Sequence, residues 1–189
     1  NGNYNYIDNL KEARKVLVHE MRGTLETIAK DVKLQLEFNP ANVKAYRLIG
    51  YENRILADRD FNDDTKDAGE IGSGHSITAI YEVIPVGAQT PVNEEIDDLK
   101  YASQLNASFS DELLTVKIGY KKPKEDNSML LKKTVKSECT PFKKSSENMR
   151  FSAAVASYGM LIRGSQFSGT ASFDDIVSWA KSSKGDDEF

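Results

Sequence analysis

The residues whose types and spacing come closest to a chemical site are Asp58, Asp60, Asn62 and Asp64, four oxygen donors at alternate positions within Asp58-Arg59-Asp60-Phe61-Asn62-Asp63-Asp64-Thr65-Lys66-Asp67. That alternation lets side-chain oxygens converge on one Ca²⁺, as in an EF-hand loop. The rest of the loop departs from the pattern. The sixth position is Asp63 rather than the glycine a sharp turn needs, the twelfth is Gly69, and Glu70 falls one residue late. No helical pattern flanks the loop. A looser, sandwich-type Ca²⁺ site is therefore the alternative reading, and a solvated connection between strands is the preferred one.

Other reactive residue types lack partners at useful spacing. Gly69, Gly72 and Gly74 match neither phosphate-binding fingerprint, and no helix pattern follows them. They read as a strand entry needing unusual dihedrals. Ser73 is not in a nucleophile elbow. His19 and His75, the two histidines, have no Cys, His or Asp at a zinc or triad spacing. Cys139, the single cysteine, excludes an intrachain disulfide and reads as a surface or half-buried thiol. No catalytic motif, cofactor site or assigned metal site emerges, so an enzyme is not expected.

Charge is segregated. Residues 58–98 hold eleven acids against two bases, whereas 117–144 hold nine lysines against three acids. Such asymmetry suits a docking face. The lysines lie around a hairpin with few interleaved aromatics and no nucleic-acid motif, so nucleic acid is not an expected partner. The net charge of −4 over 189 residues agrees. No apolar run approaches the roughly 20 residues of a membrane span. The opening Asn1-Gly2-Asn3-Tyr4 reads as the middle of a loop, so any targeting signal is expected upstream of it.

The elements that must position these residues follow from periodicity. Leu10, Ala13, Leu17 and Met21 share a helical face after Asn9, predicting a helix over 9–22. Val32, Leu34, Leu36 and Phe38 alternate with polar residues, predicting a half-buried strand. After the turn Asn39-Pro40-Ala41-Asn42, a strand over 43–50 and a short one over 54–57 complete an expected meander. Residues 75–84 read as another strand, 86–110 as a polar linker, and 113–120 with 129–135 as a hairpin. Phe151, Ala154, Val155, Tyr158, Leu161 and Ile162 share one helical face ended by Gly164, and Ser172 starts a second helix. The order is α+β: an antiparallel β-sandwich-like core preceded by one helix and followed by two.

Three stretches carry a resemblance: Tyr6-Ile7-Asp8-Asn9-Leu10-Lys11-Glu12-Ala13, Gly69-Glu70-Ile71-Gly72-Ser73-Gly74-His75-Ser76, and the segment Phe151 to Leu161. Together they resemble YfbK-like bacterial proteins, in which a von Willebrand factor type A domain precedes an uncharacterised C-terminal domain. The resemblance implies that 1–23 is the last helix of the type A domain, 24–140 a β-rich domain, and 141–189 a helical segment packed on it. It also implies a bacterial envelope or periplasmic location, with lipoprotein anchoring. The type A metal motif D-x-S-x-S does not occur in the chain, so that metal site is carried to no residue. The expected job is a non-catalytic interaction or scaffold module, whose partners are its own upstream type A domain and a further protein.

Overall fold

In the computed structural model, the residues described are 6–19, 21, 26–50, 61, 63, 68–88 and 111–185. Asn9 caps α1 (Leu10–Arg14), its side chain accepting from the Glu12 amide at 2.9 Å. The helix passes directly into a π-helical turn, Lys15–His19. The wider π turn breaks the three-and-four spacing on which the predicted apolar face depended. Val16 is buried, while Leu10, Leu17 and Met21 of the expected stripe face solvent.

β1 (Thr27–Phe38) is the spine of a four-stranded antiparallel sheet ordered β3-β1-β5-β6, with β3 at Gly69–Gly72, β5 at Glu112–Lys121 and β6 at Ser128–Lys136. β2 (Val43–Ile49) pairs instead with β4 (Ile80–Pro85) in a separate two-stranded sheet. The expected meander is thus corrected, because β1 and β2 are consecutive but belong to different sheets. The turn explains why. Asn39 accepts from the Ala41 amide at 3.0 Å and donates to the Glu112 carbonyl at 2.7 Å, pinning the corner to the start of β5. Beyond it Phe38 stacks on Tyr46 at 4.0 Å between centroids and tilts against Tyr81 at 5.6 Å, so the two sheets meet through aromatic faces.

Two further boundaries shift. The stretch before the strand predicted over 75–84 contains β3, too short for its alternation to show, and that predicted strand begins only at Ile80. The short strand expected over 54–57 lies outside the described residues. The hairpin of β5 and β6 matches its expectation, with Leu114 opposite Val135 and Tyr120 opposite Met129.

The helical segment closes the chain. Ser146 caps α2 (Glu147–Ile162), and Gly164 at φ +62° follows its end, a conformation glycine adopts without penalty. Ser172 caps α3 (Phe173–Lys181) in a reciprocal box with Asp175. A short 3-10 turn at Phe142–Lys144 sets Phe142 edge-on to Trp179 at 5.1 Å. Arg47 of β2 joins this segment to the small sheet: it pairs with Glu82, reaches the Met160 sulfur at 3.6 Å, and lies 4.1 Å from the Phe167 ring centroid. The architecture is α+β, with two antiparallel sheets as its core and helices at either end of the sequence.

Among the described residues the buried apolar side chains are Val16, Val43, Phe61, Ala154 and Ile176. They are spread over five segments rather than gathered in one layer, and much apolar surface stays outside. No helix among the described residues is long and apolar enough to cross a membrane.

Candidate functional site

Between Lys30 and Lys33, β1 carries one more residue than β5 opposes, and Asp31 occupies the bulge at φ +52°. Aspartate tolerates this left-handed region better than most residues do. The bulge aims its carboxylate at Lys121, whose Nζ donates to Oδ2 at 2.9 Å. The Lys121 hydrogen bond holds the Asp31 carboxyl below its ordinary range against the opposing effect of burial, helped by the Ala68 amide and the Lys33 charge. Lys33 and Lys121 are only 6% and 8% exposed, and the Lys33 ammonium donates to the Asp63 carbonyl. Phe61 lies over Gly119, where a Cβ would meet its ring at 3.6 Å.

Asp31, Lys33, Phe61, Gly119, Ser128, Met129 and Leu130 line an open depression of about 180 Å³. That is less than the roughly 300 Å³ at which small-molecule pockets begin. Asp31 is held ionised beside two ammonium groups, the reverse of a base poised near neutrality. The cluster's evident work is to anchor Asp63 and Phe61 onto the sheet.

Sequence reasoning missed Asp31, Lys33 and Lys121 as a group. The signal present was two lysines at inward positions of otherwise ordinary strands, and the bulge that joins them to Asp31 has no sequence signature. The acidic-loop donors Asp58, Asp60, Asn62 and Asp64 lie outside the described residues. No group of three metal-ligating side chains occurs among the described residues. Of the three glycines, Gly74 takes a positive φ of +78° just past β3, whereas Gly69 and Gly72 sit within the strand. His75 and Cys139 are exposed.

A second arrangement concerns surface rather than chemistry. Phe151, Val155, Tyr158 and Ile162 fall on one stripe of α2, at spacings of four, three and four. These four are between 40% and 62% exposed, while Ala154 and Leu161 of the same predicted face are buried and half-buried. The reason is that α2 is apolar on more than one side. Ala154, at 1% exposure, marks the covered side, and Met160 receives Arg47. Phe173 and Val177 of α3 are also exposed, and Tyr158 meets Phe173 edge-on at 6.3 Å, extending the apolar surface across both helices.

The family model described as "Uncharacterized protein YfbK, C-terminal" matches residues 23–189. The chain is 46% identical to the uncharacterized protein YfbK of Escherichia coli (strain K12) over 190 residues, which is 99% of this chain and 32% of that protein. The chain thus spans about a third of the length of the curated relative it matches. No solved structure matches.

Proposed function

Because the chain belongs to the YfbK C-terminal family, we propose that it is a protein-interaction module whose helical face docks on the rest of its own polypeptide. The observation that carries the reading is the exposed stripe Phe151, Val155, Tyr158 and Ile162, continued by Phe173. Four large apolar side chains on one solvent-facing stripe are unfavourable for an isolated domain and favourable for one that is covered. The resemblance to YfbK-like proteins supplies the candidate cover, a preceding type A domain. In that arrangement the module supports or regulates the type A domain's binding face without performing chemistry itself. The envelope location implied by the same resemblance belongs to this proposal.

The test mixes this chain with the separately expressed upstream polypeptide and reads binding by calorimetry. Val155→Glu with Ile162→Glu changes two exposed positions, so the melting temperature of the chain should stay within error. Binding should weaken about tenfold or more, since apolar anchors of this kind dominate an interface. Unchanged binding by the double variant, or none by the unaltered chain, rejects the reading.

A further inference from the structure

The four-stranded sheet ends on two different edges. β3 is four residues long and meets β1 with register shifts between Thr27 and Ala29 and between Ala29 and Val32. Short, irregular edges resist unwanted pairing. β6 is nine residues long, contains neither Pro nor Gly, and pairs with β5 without a shift from Leu114–Val135 to Lys121–Ser128. No strand neighbours its outer side among the described residues, and every residue but Val135 is exposed. At about 3.3 Å per residue, Met129–Lys136 presents roughly 26 Å of backbone edge with no partner strand among the described residues.

The side chains along that edge define what it would accept. Ser128–Lys136 carries Lys132, Lys133 and Lys136 and no acid. Lys132 stands directly opposite Lys117, a like-charge pair that is unfavourable across a sheet. On the inner side Lys117 is compensated by Glu37, which accepts from it at 2.8 Å. The Glu37 charge also reaches Lys132, and an acid arriving on the outer side would add to that compensation. On the other face Leu34, Ile118 and Leu131 form a cross-strand row, and Leu131 is 56% exposed at its end. That row can be extended by an apolar residue of an added strand. A second copy of β6 would bring lysines against lysines, which opposes pairing between copies.

We propose that β6 is a strand-acceptor edge for an extended acidic segment of a partner protein, alternating Glu or Asp with β-branched residues. Backbone hydrogen bonds to the open edge supply the affinity, Lys132 and Lys136 select the acids, and Leu131 selects an apolar neighbour. This surface is separate from the helical stripe, and its test does not require the upstream polypeptide.

The probe is a terminally blocked nine-residue peptide alternating Glu and Val, titrated into the whole chain and followed by backbone amide NMR. Shifts should concentrate on β6, and outward-facing β6 amides should exchange more slowly with solvent when the peptide is bound. N-methylation of alternate peptide amides in one phase should abolish binding, while methylation in the other phase should not. Replacing Glu by Lys in the peptide should weaken binding about tenfold or more. Lys132→Glu with Lys136→Glu should reverse that preference. If this variant does not fold, the two methylated peptides still decide on the unaltered chain. Equal binding of both methylated peptides, shifts centred elsewhere, or self-association through β6 without peptide binding overturns the proposal. So does binding that appears only after Glu94, Glu95, Asp97 and Asp98 are neutralised, which would show the chain's own acidic stretch at the edge.

Discussion

Asp31 combines a costly backbone conformation with a part-buried ion pair, so its charge and its shape can be tested apart. Asparagine also tolerates the left-handed region, whereas alanine does not. Asp31→Asn therefore removes the charge alone and leaves the Lys121 ammonium, whose side chain is 10% exposed, without its carboxylate. The expected loss at pH 7 is about 1–2 kcal/mol, below the roughly 3–5 kcal/mol of fully buried pairs because Asp31 keeps contact with water. Asp31→Ala should cost about 1 kcal/mol more, the backbone penalty. The pH dependence has a fixed sign. The folded-state pKa lies below the ordinary 3.8, so the stabilisation is complete above that value and disappears as pH falls through the lower one. Chemical denaturation of the unaltered chain and Asp31→Asn from pH 7 to pH 2 should show a gap that closes only at the acid end. A gap that instead closes between pH 7 and pH 5 would exclude this pair as its source.

Elements that announce themselves locally were readable in advance, and those defined by distant partners were not. The β5–β6 hairpin shows in two alternating runs around a polar loop, and α3 shows in Ser172 followed by two acids. β3 has four residues and exists only because β1 pairs with it, while the separation of β1 and β2 depends on the Asn39 corner and the Phe38–Tyr46 stack. The Asp31 bulge is illegible for the same reason, since it is a count of residues across two strands. Apolar periodicity identifies α2 and the face shared by Phe151 and Ala154, but not that Ala154 is covered and Phe151 exposed. The caps give a test at this scale. Ser146 accepts from the Met149 amide at 3.2 Å. Ser146→Ala should cost about 1 kcal/mol in thermal unfolding, and Ser146→Gly only a few tenths. Equal losses in the two variants would point to packing of the serine rather than to capping.

At the scale of the whole molecule, Arg47 is a tie between the small sheet and the helical segment. Its guanidinium pairs with Glu82 on β4, reaches Met160 on α2, and lies over Phe167 in the α2–α3 connection. Arg47→Lys keeps the charge beside Glu82 and loses the planar stack on Phe167. The expected cost is about 0.5–1 kcal/mol, the size of an exposed cation–π contact. That cost should not be shared evenly. Buried apolar residues are spread over several segments, so the helical segment can open while the β1–β5–β6 sheet stays closed. Native-state hydrogen exchange on Arg47→Lys should therefore show amides of α2 and α3 exchanging roughly two- to fivefold faster, with β5 amides unchanged. The same opening would carry the Phe151 stripe with it, so Arg47→Lys should also weaken docking of the upstream polypeptide without altering any stripe residue. If β5 amides accelerate as much as those of α2, the molecule opens as one unit and Arg47 is not a hinge between parts.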